Sequence, residues 1–302
     1  MKMADLGSKR QLDPTLQELV RTRLGSRCKV LDLSRSSGRR STTWKLTAVD
    51  GTNFYLKRHE HPSHYRAEVL ALTEWVPLLA VSDWWSAPTV ISRHDEQGAV
   101  IISEVPGTVF SEIETTPAER AAVFRLAGQL AALIHRLKVD PYKAGSARTY
   151  DSHTIRIFRE FAAPYLDSEV LNWFESVCKS DEVFAGLALL PTHSDYSPRN
   201  WVIDRSANGL RLGLIDWERA RPGYWLEDAQ RMVADDWFRE PGMESAFYQG
   251  YDQSPDRREE HQIKLIALIN AVGAVPWAIE HGDAEFAEFG RRSIAWLRSE
   301  LS

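Results

Sequence analysis

The sequence is poor in cysteine, in long apolar runs, in surplus positive charge, and in glycine where a phosphate-binding loop would use it. Only Cys28 and Cys178 occur among 302 residues. They lie far apart and outside any metal-ligand spacing, which excludes a disulfide framework and a cysteine-based zinc site and points to a reducing compartment. No window reaches the uninterrupted apolar length of a bilayer span, and residues 1–20 carry charges throughout in place of the apolar core of a signal peptide. The expectation is a cytoplasmic protein with no membrane partner. With 37 Lys and Arg against 42 Asp and Glu, the net charge of -5 argues against nucleic acid, whose phosphates call for a basic face. That balance is compatible with a cationic small molecule. Length allows one large domain or two smaller ones, and two lobes are expected.

The informative stretch runs from His193 through Asp195 and Arg199 to Asn200, then into apolar Trp201-Val202-Ile203 and, further on, Leu214-Ile215-Asp216-Trp217-Glu218. The turn residues Asn208-Gly209 divide the apolar segments and predict two paired strands, bringing Asn200 beside Asp216. An amide and a carboxylate oxygen suit Mg²⁺, a hard cation usually shared with substrate phosphates. Asp195, in the same loop, is placed to accept the proton of an attacking hydroxyl. Together these are parts for phosphoryl transfer.

Upstream, 12–24 predicts a lead-in helix starting at Asp13-Pro14, and Cys28–Leu33, Thr42–Val49 and Asn53–Lys57 predict an antiparallel meander. The loop at 34–41, with Ser37 and Gly38 at its centre, is small, polar and basic, so its backbone N–H groups suit phosphates. It matches neither G-x-G-x-x-G nor a Walker pattern, and a solvated turn is the competing reading. Lys57 ends the third strand and Glu68 follows in a helical segment, an order that matches the ion pair that positions phosphates in kinases. Between them, His59 to His64 reads as an exposed connecting loop, with Pro62 interrupting any helix. Strands around a hairpin at Asp95–Gly98 lead to Glu104-Val105-Pro106-Gly107, read as a linker between lobes. Beyond it, Thr116-Pro117 opens a core helix in which His135 is structural, and helices fill the remainder.

These residues resemble the aminoglycoside phosphotransferases and their choline-kinase-like relatives. The match is the H-x-D-x-x-x-x-N loop at His193, Asp195 and Asn200, the hydrophobic-Asp pair Ile215-Asp216, and Lys57 with Glu68, spanning about residues 30–240. The resemblance implies an α+β, two-lobed protein-kinase-like fold. Residues 1–104 would form a small antiparallel-sheet N-lobe and 105–302 a larger, mostly helical C-lobe. It further implies ATP, or GTP in its place, with Mg²⁺ on Asn200 and Asp216. Asp195 would be the base, Lys57 would hold the phosphates, and His193 would orient the loop. Ser37 and Gly38 would lie over the phosphates, and the backbone of Glu104 and Val105 would meet the adenine edge. Arg199 is placed to steady charge on the γ-phosphate.

Two departures stand out. The nucleotide loop is poor in glycine, and Glu218 occupies a position where many relatives have Asp, which suggests an outer-shell role. Asp228 is read as a helix cap. Asp235, Asp236 and Glu240 are read as either a cleft for a cationic amine or a solvated helix face. The expected activity is phosphorylation of a small-molecule hydroxyl, foremost that of an antibiotic such as an aminoglycoside, by a monomer or homodimer. A metabolite kinase of the choline, homoserine, thiamine or fructosamine type, or a kinase of a nucleoside or peptide antibiotic, is the alternative. A non-catalytic nucleotide-binding module and a metal-dependent hydrolase are rivals from other classes.

Overall fold

Period-two burial builds the first part of the molecule. In Ser41–Thr47, Thr42, Trp44 and Leu46 are buried while their neighbours are half-buried, as expected of a strand with one face on a core. This strand pairs with Lys29–Asp32 on one side and Asn53–His59 on the other; Asn53–His59 pairs with Ala99–Ser103, and that with Val90–His94, all antiparallel. The chain is seen as a computed structural model that describes residues 11–33, 41–79, 82–139, 150–178, 184, 187–206, 209–240 and 242–301. Ser37 and Gly38 lie outside the described residues.

Each face of this five-stranded sheet is covered. The helix Pro14–Leu24 begins where expected, with Asp13 accepting the Leu16 N–H at 3.0 Å and proline in its first turn. Its Leu16 and Val20 close a small core over Trp44, Leu46, Leu56, Ala99 and Ile101. On the opposite face, Val100 and Ile102 join Tyr65, Val69, Leu72 and Trp75 in the main core. Burial on both faces explains why Ala99–Ser103 reads as a continuous apolar run instead of alternating. Pro62, expected to interrupt a helix, instead opens one, Pro62–Leu70. At that position its missing N–H costs nothing, and its fixed φ suits the first turn.

After Ser103 the chain crosses to a second, four-stranded sheet. There Trp201–Ser206 pairs antiparallel with Gly209–Leu214, with Trp201 opposite Leu214, as the sequence predicted. Helices form the remainder. Pro117–His135 is capped by Thr116, whose Oγ1 accepts the Glu119 N–H at 3.2 Å. It lies against Gly242–Tyr251 with almost no space between the backbones. A Cβ on Gly128 would sit 2.0 Å from the Phe247 carbonyl oxygen, and one on Gly250 would sit 1.9 Å from that of Arg125. Gly128→Ala therefore forces the two helices apart and is expected to lower the unfolding free energy by about 1–3 kcal/mol, read from urea denaturation. An unchanged midpoint would mean that the helices have room to separate.

Arg257–Glu280 is long and apolar enough by length and composition to cross a membrane, although Lys264 and Asn270 interrupt its run. Most of its apolar window, 72%, is buried inside the protein, where Leu265, Ile266, Leu268, Ile269 and Val272 fill the main core.

Candidate active site

Strand Asn53–His59, the loop 193–200 and the segment that follows Gly209–Leu214 meet at the site. From the sheet comes Lys57, a strand residue whose Nζ lies 2.8 Å from Glu68 Oε1 and 2.7 Å from Asp216 Oδ1. The expected lysine–glutamate pair is thus formed, and the same ammonium reaches the carboxylate at the end of Gly209–Leu214. Burial alone would lower the lysine pKa, but the charges of Asp216, Glu68 and Glu218 outweigh it and hold the ammonium firmly protonated.

His59, read in the sequence as part of an exposed connecting loop, does not lie in one. It ends the same strand as Lys57, fully buried, with Nε2 2.8 Å from Glu68 Oε2 and Nδ1 3.4 Å from Glu218 Oε2. The signal was available: residues two apart on a strand share a face, so placing Lys57 in the site also places His59 there. Burial disfavours its imidazolium, yet hydrogen bonds to Glu218 and Glu68 prevail and raise its pKa. The Glu218 carboxyl is also buried, and His59 and Lys57 nevertheless pull it down to about 2. Glu218 is therefore tied to the first sheet through His59.

The second piece is the loop 193–200. Asp195 is buried, and Arg199 Nη2 donates to its Oδ1 at 2.8 Å and to its Oδ2 at 2.6 Å. Arg231 Nε approaches Oδ1 from another side at 2.8 Å. Burial would raise the Asp195 pKa, but Arg231, Arg199 and Arg219 outweigh it and hold the carboxyl far below the usual range. Asn200 donates its Nδ2 to the Asp195 carbonyl at 2.8 Å, which leaves its carbonyl oxygen for a cation. The Ile215 N–H donates to the Asn200 carbonyl at 3.0 Å, setting Asn200 next to Asp216.

The loop is fastened from below. Asp228 accepts the backbone N–H groups of His193 at 2.9 Å and Ser194 at 2.6 Å, and also His135 Nε2 at 3.0 Å. His193 Nε2 donates to the Ile215 carbonyl at 3.0 Å, and the Tyr196 hydroxyl to the Ala127 carbonyl at 2.7 Å. Asp228 is thus no helix cap but the anchor of the loop, and its two N–H contacts hold Ser194 at a φ of 59°, where non-glycine residues are uncommon. Asp216 has a similar left-handed conformation, φ 68°, which turns its carboxylate off the end of its strand. His135 is structural, as expected, and also bonds the Tyr251 hydroxyl at 2.8 Å.

The remaining expected site residues are placed as follows. The Glu104 N–H is committed to the Asn53 carbonyl at 3.3 Å, and its side chain to Lys45 at 2.9 Å, Asn53 at 2.9 Å and Tyr55 at 3.2 Å. Val105 is buried against Gly213, closing the crossing between the two sheets. Of the acidic group, Asp235 pairs with Arg239 at 2.5 Å and Glu240 with Arg120 at 3.6 Å.

Asp236 behaves differently from both. Burial first, and Asp235 second, push its carboxyl up from 3.8 to about 7. A raised carboxyl stabilises the fold fully below its unfolded pKa, and that contribution is lost as pH rises towards 7. Asp236→Asn is expected to flatten the stability profile between pH 4 and 7, measured by thermal unfolding across that range. A slope identical to that of the parent chain would remove Asp236 as its source.

Among the described residues no group of three or more His, Cys, Asp or Glu side chains is arranged as a metal site. An amide and a carboxylate alone suit an ion that takes its other ligands from phosphate and water. Comparison with known proteins follows the same line. No curated protein matches the sequence. Solved structures match over nearly their whole length. The GDP and kanamycin complex of APH(2")-IIia has a TM-score of 0.72 at 15% identity, covering 95% of this chain and 99% of that one. The macrolide 2'-phosphotransferase MphH from Brachybacterium faecium gives 0.63 at 16%, covering 93% and 97%. Spectinomycin phosphotransferase APH(9)-Ia, in complex with ADP and spectinomycin, gives 0.61 at 11%, covering 95% and 94%. At such identities the likeness establishes the two-lobed kinase-like fold. The sequence also matches the model of the phosphotransferase enzyme family over residues 33–263, and the chain belongs to that family.

Proposed function

We propose that this phosphotransferase moves the γ-phosphoryl group of ATP, or of GTP in its place, to a hydroxyl of a small molecule in the cytoplasm. The observation that carries the reading is the chain of contacts from Lys57 to Asp216, from the backbone beside Asp216 to Asn200, and from Asn200 to the Asp195 backbone, with Lys57 already paired to Glu68. Lys57 would hold the α- and β-phosphates. Asn200 and Asp216 would hold Mg²⁺, which when bound screens the charge of the transferring phosphates.

Asp195 orients the acceptor hydroxyl. In the transfer, the bond between γ-phosphorus and the β-bridging oxygen breaks, the acceptor oxygen bonds to phosphorus, and the hydroxyl proton passes to Asp195 and then to solvent. A carboxylate so strongly ionised takes that proton late, which suits a loose transition state in which little charge builds on the attacking oxygen.

Inactivation of an antibiotic is the physiological role this reading favours, supported by the kanamycin, macrolide and spectinomycin enzymes among the structural neighbours. Phosphorylation of a metabolite is the second reading, because Arg199 and Arg231 both pair with Asp195 and offset the charge that would draw in a cationic antibiotic. The test is incubation with Mg-ATP and a panel of hydroxyl compounds, followed by mass spectrometry. The expected result is an acceptor heavier by one phosphate, lost when Mg²⁺ is chelated. Phosphate released from ATP at full rate with no acceptor present would favour the hydrolase instead. Lys57→Ala is expected to raise the nucleotide KM by about ten- to a hundredfold, the worth of a charge-assisted hydrogen bond. Steady-state kinetics at fixed acceptor would read it, and an unchanged KM would take the phosphates away from Lys57.

A further inference from the structure

Two residues on one face of a strand hold two residues of the segment that follows Gly209–Leu214. Lys57 and His59 lie two apart in Asn53–His59 and so share that face. Lys57 Nζ reaches Asp216 Oδ1 at 2.7 Å, and His59 Nδ1 reaches Glu218 Oε2 at 3.4 Å. Glu68 stands against both, with Oε1 2.8 Å from Lys57 Nζ and Oε2 2.8 Å from His59 Nε2. Each ring nitrogen of His59 therefore meets a carboxylate oxygen. That arrangement needs a proton on both, since a neutral ring would turn a lone pair towards one of the carboxylates.

The two ties differ in what nucleotide does to them. Lys57 and Asp216 are the groups assigned above to the phosphates and to Mg²⁺, so each gains a competing partner when Mg-nucleotide enters. The Asp216 side chain is also 34% exposed, where water weakens its attraction to Lys57. His59 and Glu218 are given no other task by the transfer. The His59 side chain is wholly buried and that of Glu218 is 11% exposed, so their attraction is little screened. Asp216 stands at a φ of 68°, a conformation that its surroundings must maintain. Between the two carboxylates, buried Trp217 donates its Nε1 to the Leu214 carbonyl at 3.1 Å and opens the short helical turn Trp217–Arg219. A hold on Glu218 is thus passed to Asp216 through a fixed turn.

We infer that His59 is a positioning residue for phosphoryl transfer: through Glu218 it keeps the Asp216 carboxylate in place for the metal while Lys57 serves the phosphates. This rests on the phosphotransferase reading given above, to which it adds a residue that touches neither nucleotide nor acceptor.

The test is calorimetric titration of the full chain with AMP-PNP, once with Mg²⁺ in excess and once in EDTA. His59→Gln keeps a donor for Glu68 and gives up the charged tie to Glu218. It is expected to weaken binding of Mg-AMP-PNP about ten- to a hundredfold, the usual cost of removing a group that orients a metal ligand, and to change binding in EDTA far less. Glu218→Asp keeps the charge but is one carbon too short for His59, and the same loss is expected. In the Glu218→Asp background, His59→Gln should then add nothing further. If His59→Gln does not fold, judged by its unfolding midpoint, Glu218→Asp decides by the same pair of titrations. Equal losses with and without Mg²⁺ would place the action of His59 on Lys57 and Glu68, parental affinity in the variants would leave it none, and additive losses would separate it from Glu218. Each of these overturns the inference while the phosphotransferase reading stands. A parent chain that binds no AMP-PNP in either titration strikes that reading, and this inference falls with it.

Discussion

Asp195→Asn is expected to slow phosphoryl transfer by about 10²–10⁴-fold, the usual worth of a positioned proton acceptor, and to leave nucleotide binding intact. The asparagine keeps the shape of the side chain and can still accept one hydrogen bond from Arg199, so the arginines are not wholly stranded. What is lost is the negative charge that, in the proposed mechanism, aligns the hydroxyl and receives its proton. Because Arg231, Arg199 and Arg219 keep the Asp195 carboxyl ionised far below neutral pH, an acid limb in kcat near neutrality must come from another group. Nucleotide titration and single-turnover rates on the same preparation test this. A variant that keeps near-parental turnover would remove Asp195 from the reaction, and one that loses nucleotide affinity would show that its main task is structural.

Asp228→Ala produces the largest loss of stability expected from any single side chain near the site, about 3–5 kcal/mol, because it withdraws a buried charge from its buried partners. The N–H groups of His193 and Ser194 lose their acceptor at the turn that carries Asp195, and His135 keeps Tyr251 but loses the partner of its Nε2. Each buried donor left without a partner costs about 1–3 kcal/mol. Ser194, held at positive φ by those contacts, is then free to relax and take Asp195 with it. Urea denaturation is expected to show the lower stability, and kcat to fall even under conditions where the variant is folded. Parental stability would mean that water replaces the carboxylate without loss. Asp228→Asn separates the two effects, since it retains volume and one acceptor oxygen.

The sequence carried local information well and contacts across the cleft poorly. Strand alternation, the Asn208-Gly209 turn, the Asp13-Pro14 start and the Thr116 cap are local signals, and the elements they predicted are present. Lys57 and Glu68 lie eleven positions apart (68 − 57), yet their order along strand and helix was enough to pair them. Asp228 and Arg231 were not legible as parts of the site. Their work is done against residues more than thirty positions upstream (228 − 193, 231 − 195), and nothing in their neighbourhood marks those partners. His59 was hidden by its company, because His61, Pro62 and Ser63 are exposed and suggested a loop throughout. Ser37 and Gly38 lie outside the described residues, so their expected place over the phosphates stays a proposal.

The buried His59 has a consequence for control. In a kinase regulated by movement of the helix that carries the glutamate, that carboxylate must be able to leave its lysine. Here Glu68 is fully buried and gripped from both sides, by Lys57 and by a histidine that is itself tied to Glu218 across the cleft. Swinging the helix outward would leave Lys57 and His59 buried without that carboxylate, at a cost of about 3–5 kcal/mol, so that fewer than one molecule in a hundred would hold that posture. Helix, lysine and histidine therefore keep one arrangement, set by their own buried charges.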